Sequence, residues 1–295
     1  MLVATDSAGV HRKRSYWNDV LKRFSHHKLA MVGLSIIIIE IILVVILPSL
    51  AHLNPYAMDA GSGFGAPPSK AHILGTDEVG RDMFARIVYG GRTSLFVGLF
   101  SALISLAIGV PLGLLAGYYR GFASVTVMRL ADIFMSVPSM ILVLVLVSVI
   151  GPSIESVTIV IGVMGWPQFA RQLYGNVLSV REKDYVQAAI AIGEKNRRII
   201  LKYILPNAIA PVIITFTFSI ASAILQESGL SFLGMGVQPP QASWGNIMYA
   251  AQSITILSQK PWFWVPAGLA LLVTVLSINF FGDGLRDALD PKTKV

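Results

Sequence analysis

Charged side chains are missing from long runs of this chain, and that absence constrains the fold more than any motif does. Residues 29–51 are apolar apart from Glu40, and residues 93–119, 133–154, 156–170, 203–226 and 261–282 carry no charge. A helix crossing the hydrocarbon layer of a bilayer needs about 20 such residues, with a range of roughly 17–25. Only 156–170, interrupted by Gly165-Trp166-Pro167, falls short of that length. Six transmembrane helices of an all-α membrane protein are expected. Composition agrees, because 13% charged residues is about half of what soluble domains carry. With no cysteine, disulfides, zinc–thiolate sites and a cysteine nucleophile are excluded.

An even number of crossings puts both termini on one side, and the basic residues say which. Segments 1–28, 120–129, 171–202 and 283–295 hold eighteen of the 23 Lys and Arg residues, and the intervening 52–92 and 227–260 hold five. Basic loops stay in the cytoplasm. The expected organisation is therefore a cytoplasmic basic segment (1–28), a first span (29–51) and an external segment with an interfacial helix (52–92). A core transmembrane domain (93–282) with a cytoplasmic loop at 171–206 and a cytoplasmic tail (283–295) complete it. In the first segment Trp17, Val20, Leu21 and Phe24 fall at i, i+3, i+4 and i+7, the stripe of a helix lying in the interface. The run 29–51 is longer than the roughly 7–15 apolar residues of a signal peptide, so a retained anchor is expected.

The loop containing residues 184–211, DYVQAAIAIGEKNRRIILKYILPNAIAP, is patterned beyond what a connector needs. Tyr185, Ala188, Ala189 and Ile192 share one helical face, with two small residues at its centre that let another surface approach the backbone. Gly193 ends that pattern as a helix terminus or sharp bend would. Ile199, Ile200, Tyr203 and Ile204 form a second apolar pattern, with Arg197, Arg198 and Lys202 elsewhere, and Pro206 closes it. A helix–bend–helix of this kind suits docking of a soluble partner; the plainer reading is an amphipathic connector on the bilayer surface.

Other features read as architecture. Gly109, Gly113, Gly117 and Gly121 recur at four-residue spacing, a face for close helix packing in lipid. Pro111, Pro138 and Pro266 mark kinks. Asp132, three residues after Arg129, suits a local ion pair. Glu40 is the one acid well inside a span, where it would be protonated or would face a polar cleft. In the external segment Thr76 and Asp77 suit a helix start and Gly90-Gly91 its end, with Val79, Met83 and Ile87 toward the membrane. The acids there, and those of 282–292, lack calcium-loop spacing; the latter read as a turn and a short exit helix. Gly234 and Gly236 open no βαβ unit and make no nucleotide site.

Catalytic chemistry is not written here. No P-loop, H-E-x-x-H or G-x-S-x-G sequence occurs, and the five histidines lie outside the expected spans. No catalytic residue and no metal site is expected, and no nucleic-acid partner. An ion-coupled carrier acting alone would need ionisable or unwound sites near the midplane, where only Glu40 qualifies.

The sequence QAAIAIG at 187–193, followed by Leu205-Pro206, resembles the EAA loop of binding-protein-dependent ABC importer permeases, E-A-A-x-x-x-G, nine residues, I-x-L-P. Ala188, Ala189, Gly193, Leu205 and Pro206 match; Gln187 replaces the acid and Tyr203 the isoleucine. LGTDEVGRDMFARIVYGGRTSL (74–95), ESGLSFLGMGVQPPQASWGN (227–246) and GDGLRDALDP (282–291) resemble the dipeptide/oligopeptide/nickel branch, specifically its second permease. The first of these carries Gly75, Thr76, Asp77, Gly80, Arg81 and Asp82 on the external face. The resemblance implies a type I ABC importer permease fold in a prokaryotic cell membrane, forming half of a pathway for oligopeptides or dipeptides, with nickel or another small solute as the alternative. It implies a second homologous permease, two P-loop ATPases that bind ATP and Mg2+, an extracytoplasmic solute-binding protein and surrounding lipid. It makes Tyr185, Gln187, Ala188, Ala189, Gly193, Leu205 and Pro206 the coupling surface, with no cofactor in this chain.

Overall fold

The computed structural model describes residues 16–289 apart from 60 and 62, with side-chain surroundings from residue 20 onward. Arg12, Lys13, Arg14, the side chain of Trp17 and residues 290–295 lie outside the described residues. The described chain is helical with no strand, only two isolated β-bridges in the segment between α2 and α3. In order the helices are α1 (Tyr16–His26), α2 (Lys28–Leu50), α3 (Met83–Tyr119), α4 (Gly121–Ser136), α5 (Ser139–Ile150), α6 (Ile154–Arg181) and α7 (Asp184–Ala191). The short α8 (Asn196–Arg198) and α9 (Leu205–Ala208) precede α10 (Ala210–Phe232). The short α11 (Trp244–Met248) and α12 (Ile254–Gln259) precede α13 (Val265–Leu289).

Among the described residues, α2, α3, α10 and α13 are long and apolar enough to cross a membrane. The pair α4 and α5, bent by 86° at a short break, makes a fifth crossing if read as one. The bend falls where Pro138 forces Val137 out of the helical region, to φ −103°, ψ 137°. Helix α6, containing the short 156–170 run, extends for 28 residues through Pro167 and Arg171. Its length suffices for a crossing, but its polar lower half keeps it out of the apolar class.

Helix α3 packs along α6 through its glycines. A Cβ on Gly109 would sit 2.6 Å from the Trp166 carbonyl, on Gly113 2.6 Å from the Ala170 carbonyl, and on Gly117 2.7 Å from Val177 Cβ. Without side chains there, the backbones approach closely and dispersion replaces the hydrophobic drive that lipid cannot supply. Gly121 stands apart, opening α4 at φ +56° with nothing near it. Helix α2 runs along α13, where Gly33 meets the Ser277 carbonyl and Gly284 meets Ala30. Thr274 Oγ1 of α13 lies 3.0 Å from both carboxyl oxygens of Glu40, a polar clasp between two otherwise apolar helices. The outer face of α2 (Ile38, Ile39, Ile41, Ile42) is exposed in the isolated chain, as lipid-facing residues are. Helix α1 lays Val20 and Phe24 on Leu285, Ala288 and Leu289 of α13, while Leu21 stays exposed.

Three boundaries differ from the sequence reading. The external helix does not begin at Thr76 and end at Gly90-Gly91: α3 starts at Met83, capped by Asp82, and runs through both glycines. Thr76 and Asp77 are instead consumed by tertiary bonds, Met83 is buried, and Gly91 gives room to Trp244, whose ring would lie 2.7 Å from a Cβ there. Helix α10 starts later than residue 203 and passes Gln226, because Glu227 is wholly buried and bonded within the bundle. Residues 282–289 continue α13 rather than turning, since Gly282 and Gly284 are needed as contact points inside the helix.

Candidate functional site

The loop between α6 and α10 is built as one rigid knob. Helix α7 opens with Asp184, an acid suited to a helix N-terminus. It closes in a Schellman turn: the Gly193 N–H donates to the Ile190 carbonyl (3.0 Å) and the Glu194 N–H to the Ala189 carbonyl (3.1 Å). Gly193 sits at φ +77° with nothing within 4 Å of a would-be Cβ, so the requirement for glycine is conformational and not spatial. Downstream, Ile199–Ile204 widens into a π-helical turn in which the Leu205 N–H reaches the Ile200 carbonyl. Pro206 follows immediately; lacking an N–H and crowding the preceding turn, it cannot accept an ordinary α-helical ladder upstream.

The knob is keyed into the bundle. Val186, Ala189, Ile199, Ile204 and Ala208 share one buried cluster with Phe169, Leu173 and Val177 of α6 and Leu114 of α3; Leu205 packs at its edge. Tyr118, at the end of α3, donates to Asn196 Oδ1 at 2.7 Å, and the Arg181 guanidinium lies 5.5 Å from the centre of its ring. Gln187 donates to the Arg181 carbonyl at 2.8 Å, tying α7 to the end of α6. Asn176 donates to the Ala208 carbonyl at 3.1 Å.

What remains outside is a small surface. Tyr185, Gln187, Ala188, Ile192, Gly193 and Pro206 are exposed, Ile192 at 79%. Ala189 is not: it is only 4% exposed and faces the bundle. The two alanines therefore divide, Ala188 outward and Ala189 inward, because a short helix lying on a core must bury one side. Lys195, Arg197, Arg198 and Lys202 line a shallow basic depression beside this surface. Arg198 is loosely paired to Glu194 at 3.3 Å.

At the start of α3, Gly75, Thr76, Asp77, Gly80, Arg81 and Asp82 form a cap on the bundle. Gly75 takes φ +74°, where a Cβ would lie 2.5 Å from the Ala66 carbonyl. Thr76, fully buried, donates to the Gly63 carbonyl and accepts from the Ala66 N–H. Asp77 Oδ1 accepts the N–H groups of Val79 and Arg81, and its Oδ2 takes the Arg81 guanidinium at 2.6 Å and Arg86 at 3.4 Å. Asp82 caps α3 through the Ala85 N–H and binds His72 Nδ1 at 2.7 Å. That hydrogen bond first, and the more distant Asp59 after it, hold His72 above its usual pKa of 6.5 against some desolvation. Asp132 pairs chiefly with Arg171 of α6, with Arg129 at 3.9 Å behind it.

Residues 109–295 match the family described as binding-protein-dependent transport system inner membrane component. The chain belongs to that family. Residues 15–68 of this permease match a second family, the N-terminal TM domain of oligopeptide transport permease C. The permease is 41% identical to the dipeptide transport system permease protein DppC of Alkalihalophilus pseudofirmus, over 95% of this chain and 91% of that one. It is 38% identical to the oligopeptide transport system permease protein OppC of Bacillus subtilis, over 99% and 95%. In fold the permease is similar to a chain of the MetNI methionine ABC transporter in an inward-facing conformation (TM-score 0.60, 20% identity, 70% of this chain and 98% of that chain). It is an integral, multi-pass inner-membrane protein with the type I ABC importer permease fold.

Sequence reasoning missed the buried polar knot where the loop between α10 and α13 meets the bundle. Ser94 of α3 and Ser231 of α10 both donate to Glu227, and their oxygens accept the N–H groups of Trp244 and Val237. Its signal was present: an acid between two apolar turns, with serines at i+1 and i+4.

Proposed function

We propose that this permease forms half of the membrane pathway of an ATP-driven importer of oligopeptides or dipeptides. The second half is a homologous permease, energy comes from two P-loop ATPases that bind ATP and Mg2+, and an extracytoplasmic binding protein delivers the solute. On this reading there are six crossings, counting α4–α5 and α6, and the basic residues support a cytoplasmic side for the termini and the α7 knob. The carrying observation is the knob itself, an exposed helix with an outward small residue, Ala188, locked by its other face to α3 and α6. A surface that is rigidly keyed to the bundle transmits displacement, so closure of the ATPase pair against Ala188 and Ile192 would reorient the helices as bodies. Gln187 is compatible with this role because its side chain serves the knob's own architecture. The names of the relatives favour a peptide over nickel.

The test is Gly193→Val in the transporter assembled with its ATPases and binding protein. Peptide uptake and peptide-stimulated ATP hydrolysis are both expected to fall at least about tenfold, since a β-branched residue is strained at positive φ. Wild-type values for both would show that the knob does not couple. An ion-coupled carrier would instead move peptide in liposomes under a proton gradient with the ATPases left out.

A further inference from the structure

A cavity of about 490 Å³ opens beside the break between α4 and α5. Its walls include Ser101 and Ser105 of α3, Gln168 of α6, and Ser219, Ser222 and Gln226 of α10. These positions lie close to the middle of their helices, so the cavity sits at mid-height of the bundle. Ser136 and Ser139 add the rim at the break itself.

Two properties of this wall stand out. First, it is polar without being charged: six serines and two glutamines line it, and no Asp, Glu, Lys, Arg or His does. Charges nearby are turned away. Glu227, next in sequence to Gln226, is fully buried against Ser94 and Ser231, and Asp132 is bound by Arg171. Second, it borders backbone that needs polar surroundings. The break takes Val137 and Pro138 out of the helical ladder, and non-helical backbone at membrane depth persists only inside protein or along a wet cavity. Ser136 satisfies one carbonyl, that of Ile133, at 2.7 Å. Gln168, Ser222 and Gln226 make no side-chain hydrogen bond among the described residues, so their donors and acceptors remain free.

We propose that this wall contacts the solute in transit and engages a peptide's main chain through neutral amides and hydroxyls, leaving side-chain charge unread. The proposal rests on the peptide reading above. A carboxamide presents both a donor pair and an acceptor, which is the complement of a peptide unit, and a hydroxyl does the same in smaller form. A fixed charge would hold one class of peptide and repel another, whereas weak neutral contacts let every class enter and leave. Gln168, Ser222 and Gln226 are the specificity-determining residues in this sense.

The experiment uses the whole transporter in proteoliposomes and three tripeptides of equal length with Ala, Glu or Lys in the middle, each at saturating concentration. Wild type is expected to import the three at rates within about threefold. Gln226→Lys should slow the Lys peptide relative to the Ala peptide by about tenfold or more, and Gln226→Glu should do so for the Glu peptide, as like charges a few ångströms apart dictate. Ser222→Lys and Ser222→Asp, one turn away, should repeat the pattern and serve if the Gln226 variants do not assemble. Charged variants that slow all three peptides equally, or none, would overturn the proposal while leaving peptide import intact. A wild type that imports none of the three would instead sink the peptide reading, and the proposal with it.

Discussion

Ser94 of α3 donates a 3.1 Å hydrogen bond to Glu227 of α10, in a site from which solvent is wholly excluded. The same carboxyl group accepts from Ser231 at 2.7 Å and from Ser228 at 3.4 Å, while Trp244 and Val237 donate backbone N–H groups to Ser94 and Ser231. One side chain thus fastens the loop between α10 and α13 to two spans. Each hydroxyl orphaned by its loss costs about 1–3 kcal/mol. Glu227→Ala is expected to lower the unfolding temperature of the detergent-purified protein by several degrees and to reduce its yield. Glu227→Gln, which keeps shape and an acceptor, should lose much less. Equal losses for the two variants would show that side-chain shape does not matter at this site.

The glycines of α3 should tolerate nothing larger where α6 touches them. Gly113→Leu must push the Ala170 backbone aside, because even a Cβ would stand 2.6 Å from its carbonyl oxygen. Overpacking of this kind costs about 1–3 kcal/mol. Gly175 of α6 has no neighbour within 4 Å, and Gly175→Ala should be neutral or slightly stabilising. Thermal melts of the two variants check the contrast.

Ala188 and Ala189 should part company under mutation. Ala188→Trp leaves the bundle's packing untouched, since Ala188 is exposed; it should preserve folding but cut peptide-stimulated ATP hydrolysis about tenfold or more. Ala189→Trp intrudes on the cluster of Val186, Ile199 and Leu173 and should lower stability itself, by about 1–3 kcal/mol. Size-exclusion profiles together with ATPase assays separate the two outcomes. A folded Ala188→Trp transporter with full coupling would argue against contact at this surface.

The cap around His72 should weaken as the solution becomes alkaline. His72 has a raised pKa in the folded protein, caused first by its bond to Asp82, so the charged form favours the native state. That contribution is complete below the unfolded value of about 6.5 and is lost as pH rises through the higher folded value. Hydrogen exchange of residues 58–82 should therefore quicken on raising the pH from 6 to 9 by more than the chemical rate predicts. His72→Gln should remove the excess; an unchanged excess would assign it to another group.

Much of this structure was legible because lipid leaves the backbone few choices. Apolar runs marked α2, α3, α10 and α13 as helices able to cross a membrane, and four-residue glycine spacing marked the α3 face that meets α6. Sequence reading failed where a charge lay inside a helix rather than at its end. Glu227 and Asp283 read as borders in the sequence, yet one is bonded within the bundle and the other rides on a helix whose glycines pack against α2 and α10. Pattern also could not tell Ala188 from Ala189, since both lie on one stripe and only the position of the core decides which is covered. The neutral cavity was invisible for a related reason. Its serines and glutamines are scattered over five helices, and each alone looks like ordinary span composition.

Helix α3 has 37 residues, about 55 Å at 1.5 Å per residue, against a hydrocarbon layer of about 30 Å. Its first turn is fixed to the cap through Asp82, and its last carries Tyr118, which holds Asn196 of the α7 knob. It is therefore a lever with a load at each end. A five-degree tilt about its centre would displace each tip by roughly 2.4 Å in opposite directions, on the geometry of a helix this long. That is about the size of a hydrogen bond's whole reach, so arrival of a partner on one side of the membrane would be felt as a misfit on the other.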